Sequence, residues 1–295
     1  MGITLEELFH IHGFNPNDGQ REAIQSIEGS LFLIAGPGSG KTRVLLWRTV
    51  NLLVFHGVEP EKIFLSTFTE KAAKQLQDGL QSILGTVTNK TGRPFDLSKM
   101  FVGTIHSLCQ RIISDRRFIP DRSRVKIPVL LDELEQYFLI NSSMFWRKVE
   151  ELLHMNEEDF RIELQKYFEA HSSSRHNSSL SLISIFNRFS EENLSPDDII
   201  NKASNIQDET LKKIAVLYNW YREYLFGRNQ VDFSLLQQKA LQTLMQSEHT
   251  TEIFEHIIID EYQDTNRIQE QLIFRLAEGH KNLCVVGDDD QALYR

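Results

Sequence analysis

Short apolar runs alternate with stretches of helical periodicity near both ends of this chain, and the alternation stops in between. Leu31–Ala35, Lys62–Ser66, Met100–Gly103, His256–Ile259 and Leu283–Val286 are brief and mostly apolar, without the polar alternation of a half-exposed strand. Such runs predict buried parallel strands. Helices are expected at Thr4–His10 and Gln20–Ile27, from Val44 onward, at Glu70–Leu84, at Thr104–Ile113 and at Arg267–Ala277. Strand followed by helix, repeated, implies an α/β fold in which helices flank a parallel sheet.

Between Asp132 and Leu244 the pattern changes to long amphipathic segments at Asp132–Ile140, Ser143–His154, Glu157–Glu169 and Glu209–Phe226. An inserted all-helical subdomain over residues 116–230 follows, dividing the α/β domain into 1–115 and 231–295. Within the insertion, residues 171–179 are polar, serine-rich and without periodicity, which predicts a mobile surface loop. His171 and His176 lie there; a solvated loop is the simpler reading than a metal site.

Two candidate sites sit at strand ends. Gly36-Pro37-Gly38-Ser39-Gly40-Lys41-Thr42 follows the first strand and opens a helix, the setting of a phosphate-binding loop. Glycines let backbone N–H groups approach phosphate oxygens, and the helix N-terminus adds positive potential. Lys41 would reach the β- and γ-phosphates, and Thr42 would ligate Mg2+. The strict pattern asks for glycine where this chain has Ala35, so a glycine-rich turn that binds nothing stays open.

Asp260 and Glu261 follow the strand at His256–Ile259, and side chains at that end of a parallel strand face the crevice where α/β folds bind ligands. Asp260 is placed to hold Mg2+ and Glu261 to orient or deprotonate a water. Alone, an acidic pair there reads equally as a solvated turn. Paired with the glycine loop, it reads as half of a nucleotide-hydrolysis site.

The chain's 295 residues, 41% of them hydrophobic, suffice for one large or two moderate folded domains. Its two cysteines, Cys109 and Cys284, lie in apolar stretches without ligand spacing, which predicts buried thiols in a reducing compartment. Acidic residues at the N-terminus and the lack of a membrane-length apolar run lead to a cytoplasmic expectation with no membrane partner. The net charge of −9 weighs slightly against nucleic acid, but phosphate contacts depend on local clusters. Basic residues do gather at Lys71, Lys74, Arg111, Arg116 and Arg117, and at Arg122, Arg124 and Lys126, where ordinary solvated faces explain them equally well.

Six blocks in order resemble the UvrD/Rep/PcrA group of superfamily 1 DNA helicases, and the resemblance covers the whole chain, by topology alone in the insertion. Phe14-Asn15-Pro16 with Gln20 resembles the family's adenine-reading motif, and Ala35–Thr42 its phosphate loop, alanine included, with Arg43 following as in the family. Ser66–Ala73 resembles the block lining the single-stranded DNA track, which implies contacts from Thr67 and Phe68; the family often has Asn where this chain has Glu70. Gly103–Ser107 resembles the next DNA block, with Thr104 and His106 as its carriers. Asp260–Asn266 is close to the family's second acidic signature, with Tyr262 where Phe is common, and Val286–Tyr294 resembles its third block. By that resemblance Gln291 senses the γ-phosphate and Tyr294 stacks on a base. Val231-Asp232-Phe233 also resembles a family segment, without assigned chemistry.

The resemblance implies a RecA-like domain (1A) carrying a helical domain (1B), cut before a second RecA-like domain that supplies arginines to the site in cis. It implies ATP and Mg2+ as ligands, single-stranded or partly duplex DNA as partner, and 3′ to 5′ movement. Because such arginines change phosphoryl-transfer rates by about 10³ to 10⁵, this chain alone is expected to bind Mg-ATP, hydrolyse it slowly at best and unwind nothing. These blocks are shared by repair and replication-restart helicases and by the motor subunits of helicase-nucleases. Outside the family, a P-loop phosphotransferase or GTPase would share the glycine loop, although neither Asn89-Lys90 nor Asn201-Lys202 is followed by the acid that reads guanine. A P-loop module that only binds is the remaining alternative.

Overall fold

Five short apolar strands form one wholly parallel sheet in the order β1-β7-β6-β2-β3, as seen in a computed structural model of the chain that describes residues 2–36, 38–119, 126–246 and 248–288. The elements run α1 (Leu5–Ile11), α2 (Asp18–Gln25), β1 (Leu31–Ile34), α3 (Lys41–Val54), β2 (Ile63–Thr67), α4 (Glu70–Thr91), β3 (Phe101–Thr104) and α5 (Ile105–Ile112). They continue through β4 (Val129–Leu130), α6 (Glu133–Asn141), α7 (Ser143–Leu153), α8 (Glu157–Tyr167), α9 (Arg175–Glu191), α10 (Pro196–Asn205) and α11 (Glu209–Gly227). Last come β5 (Gln230–Val231), α12 (Phe233–Met245), β6 (His256–Ile259), α13 (Arg267–Ala277) and β7 (Leu283–Gly287).

The described residues divide into two units, one within Met1–Pro120, Leu241–Thr265 and Gln269–Arg295, the other within Asp121–Ala240 and Asn266–Ile268. The first is the α/β unit expected from the strand pattern. Strands β2 and β6 are buried along their whole length, which is why their sequences carry no polar alternation. Strand β7 lies between β1 and β6, so the last strand of the sequence joins the first to the rest. Beneath the sheet, Phe9, Phe14 and Trp47 stack edge-on and face-on within a core that includes Leu45, Leu80, Ile258 and Val286. Cys109 and Cys284 are buried thiols; burial raises their pKa values to about 12 and about 11.

The second unit is helical apart from a two-residue parallel ladder, Val129 with Gln230 and Leu130 with Val231. Residues 175–179, expected in a mobile loop, form the first turn of α9. Ser174 caps it, its side chain accepting from the Asn177 N–H, and Arg175 donates twice to Glu157 at the start of α8, at 2.8 and 2.5 Å. Ser178 and Ser179 are buried, a use of small polar residues that sequence polarity conceals. His176 meets Tyr137 Oη at 2.9 Å. Asp232, left without a role above, accepts from Tyr221 Oη at 2.6 Å and from the Leu235 N–H at 2.7 Å, which anchors the start of α12. Burial raises its pKa despite these donors. Among the described residues no helix is long and apolar enough to cross a membrane.

Candidate nucleotide and DNA site

Parallel strands bring their C-terminal ends to one edge of the sheet, and most of the described candidate residues sit there or in the helix turns that follow. The glycine loop leaves β1, Asp260 and Glu261 leave β6, Asp288 leaves β7, and Thr67 and Thr104 end β2 and β3 as register partners. Gly38 and Gly40 hold φ of +74° and +83°, a region side chains avoid, and Gly40 then starts α3 with no side chain capping it. The first-turn amides of α3 therefore lack the usual side-chain acceptor, as a phosphate cradle requires. Ser39 N–H closes the loop on the Gly36 carbonyl at 3.3 Å.

The loop and the acidic pair meet directly. Thr42 Oγ1 donates to Asp260 Oδ2 at 3.0 Å, and the Glu261 N–H donates to Asp260 Oδ1 at 3.1 Å. Burial raises the Asp260 pKa, the Thr42 hydrogen bond opposes it, and the neighbouring Glu261 charge adds to it. Lys41 Nζ lies 3.6 Å from Glu261 Oε2 and 3.6 Å from Asp288 Oδ2, with only 9% of its side chain exposed. Asp288 entered the sequence reading only as part of the Val286–Tyr294 block, with no role of its own. Its signal was available, since it follows a buried strand just as Asp260 does.

Gln20 is committed twice. Its Oε1 accepts from the Asn17 N–H at 3.0 Å, completing the cap of α2, while Nε2 donates to the Ser39 carbonyl at 3.0 Å. Arg43 donates to the carbonyls of His12 and Gly13 and lies 4.6 Å from the Phe14 ring centre. Both residues thus brace the segment before β1 against the loop. Gln20, Ala35, Ser39 and Lys41 line one pocket with Leu33 and Val44.

At the β2–β3 side, Phe68 is 60% exposed, whereas Thr67 and Thr104 are buried. Thr67 Oγ1 donates to the Thr69 carbonyl at 3.0 Å, and Thr104 Oγ1 donates to Glu70 Oε1 at 2.8 Å while accepting from the Ser107 N–H. Burial lowers the His106 pKa, with the Glu70 carboxylate pulling the other way. Two of the basic residues noted above are used internally: Arg111 donates to the Met100 carbonyl at 2.7 Å, and Arg117 pairs with Asp115 at 3.0 Å. Gln291, Tyr294, Arg122 and Arg124 lie outside the described residues.

A site built of one hydroxyl and one carboxylate, Thr42 and Asp260, suits Mg2+, which keeps several waters and takes phosphate oxygens rather than demanding an all-protein cage. Among the described residues no group of three or more His, Cys, Asp or Glu is arranged to hold a metal by itself.

The sequence model of the UvrD/REP helicase N-terminal domain matches residues 16–295. The ATP-dependent DNA helicase PcrA of Bacillus subtilis is 30% identical over 289 residues, covering 97% of this chain and 34% of that protein. PcrA of Staphylococcus epidermidis is 31% identical over 287 residues, covering 95% and 34% respectively. The chain spans about a third of the length of these curated relatives. With the family model matching nearly its whole length, the chain belongs to the UvrD/REP helicase N-terminal domain family.

Proposed function

We propose that this chain is the first motor domain of an ATP-dependent DNA helicase or translocase, moving 3′ to 5′ and working with a second RecA-like domain in cis. Residues 1–115 and 231–295 serve as domain 1A and 116–230 as domain 1B. The observation that carries this reading is the contact between Thr42 and Asp260, which joins the glycine loop to the acidic pair.

Lys41 binds the β- and γ-phosphates of ATP. Without nucleotide its charge is balanced by Glu261 and Asp288; phosphate oxygens replace them, and Glu261 is released to take a proton from the attacking water. Loop amides, opened by Gly36, Gly38, Ser39 and Gly40, hold the same phosphates. Thr42 and Asp260 would hold Mg2+, which when bound would supply positive charge beside the phosphate oxygens. Gln20, which lines the pocket beside the loop, and Arg43, which holds the preceding segment at His12 and Gly13, receive the base side of the nucleotide. Single-stranded DNA, or the single strand of a partial duplex, runs across the ends of β2 and β3 past Thr67, Phe68, Thr104 and His106, where an exposed aromatic stacks bases without reading sequence. Gln291 and Tyr294 link the γ-phosphate to that strand.

Titration of a fluorescent ATP analogue into this chain, with and without Mg2+, tests the first half of the reading. Mg2+-dependent binding weakened roughly tenfold or more by Lys41→Ala is expected, the loss of one charge-assisted contact. Equal binding by both proteins contradicts it.

A further inference from the structure

The carboxamide of Gln263 stands between Glu261 and the end of β7. Its Nε2 donates to Glu261 Oε2 at 2.8 Å, and its Oε1 accepts from the Asp288 N–H at 3.1 Å. The two bonds fix which way the amide faces, because the flipped group would set its carbonyl against the carboxylate and its NH2 against an N–H. Local backbone makes the reach possible. Glu261 has φ of +53°, in the left-handed region, and the 3-10 turn at Tyr262–Asp264 then brings residue 263 back over the carboxylate. The amide also sits tightly against Gly287, where an added Cβ would lie 3.3 Å from Gln263 Oε1.

From this geometry we infer that Gln263 is the positioning residue for Glu261. Oε2 of Glu261 is engaged by both Gln263 and Lys41, which leaves Oε1 to face the attacking water. When nucleotide draws Lys41 away, the Gln263 bond is what keeps the carboxylate from swinging out to solvent. Anchoring to the Asp288 backbone means the carboxylate is held from β7 as well as from its own strand. This inference rests on the proposed role of Glu261.

The test compares kcat and KM for DNA-stimulated ATP hydrolysis in the full gene product that carries this chain. The variants are Gln263→Met, which keeps the side-chain length, Gln263→Ala, Glu261→Gln, and the double variant Glu261→Gln with Gln263→Met. A misplaced base lowers kcat roughly ten- to hundredfold in Gln263→Met, with KM for ATP within about twofold. The double variant turns over no more slowly than Glu261→Gln alone, because Gln263 acts only through Glu261. Losses that multiply in the double variant, a change confined to KM, or wild-type kcat in both Gln263 variants overturns the inference. Those results leave the proposed function standing if Glu261→Gln lowers turnover severely, to a residual rate still measurable beside the double variant. A wild-type protein without DNA-stimulated hydrolysis, or an unimpaired Glu261→Gln, overturns both.

Discussion

Thr42 and Asp260 are 218 positions apart in the chain, and the hydroxyl of one donates to the carboxylate of the other across 3.0 Å. The bond is possible because β7 and β6 bring the C-terminal end of β6 to the mouth of the glycine loop. It also places a buried acid where ordinary stability would disfavour one.

Asp260→Asn therefore raises the melting temperature of the nucleotide-free protein at neutral pH while abolishing turnover. The folded-state pKa of Asp260 is raised by burial, so the folded protein binds more protons than the unfolded chain between the ordinary aspartate value and the raised one. Stability falls as pH rises through that window and stays lower above it. The amide removes this cost and can still bond both Thr42 and the Glu261 N–H. Thermal melts of both proteins from pH 3 upward should converge at the acid end, where Asp260 is protonated in the folded and the unfolded protein alike. A destabilised Asp260→Asn at neutral pH contradicts the assignment.

Lys41 and Asp288 are coupled. Lys41→Met removes the cation 3.6 Å from a carboxylate whose side chain is 2% exposed. A loss of about 1–3 kcal/mol in urea unfolding is expected, smaller than for a closely hydrogen-bonded buried pair. Adding Asp288→Asn recovers a large part of that loss. Additive losses in the double-mutant cycle contradict the coupling.

Glu70 places a negative charge beside the proposed DNA track and occupies the Thr104 hydroxyl. Glu70→Gln keeps an acceptor for Thr104 but removes the charge. Binding of single-stranded DNA, followed by fluorescence anisotropy, should tighten about threefold at low salt and converge with wild type as salt rises. Weaker or unchanged binding at low salt contradicts a strand path past Thr104.

In the helical unit, Ser174→Ala removes the cap of α9 and costs about 1 kcal/mol. Arg175→Ala breaks a two-bond pair with Glu157 at a partly exposed position and costs about 0.5–1 kcal/mol. Urea unfolding checks both; no change in either variant contradicts the helical start at Arg175.

The α/β strands were legible because a buried parallel strand is a short unbroken apolar run, as at His256–Ile259, but β1 departs from the buried expectation, since Phe32 and Ile34 are exposed. The glycine loop and the acidic pair were legible because their chemistry follows such runs directly. Strand order was not, since the pairing of β7 between β1 and β6 depends on partners far apart in sequence. Helix α4 runs to Thr91, beyond the expected end at Leu84, because Val87 is buried on its inner face; Gly92, with φ of +73°, ends it. The start of α9 was hidden by serines that read as loop until Arg175 met Glu157. Asp288 and Gln263 take their meaning from Lys41 and Glu261, which only folding brings to them.

The most direct test of the motor reading is ATP hydrolysis by the full gene product, with and without single-stranded DNA, beside the same protein carrying Glu261→Gln and beside this chain alone. The account predicts hydrolysis stimulated by DNA in the full product, turnover lost in Glu261→Gln, and near silence from the isolated chain. Hydrolysis that ignores DNA, or that survives Glu261→Gln, would contradict it.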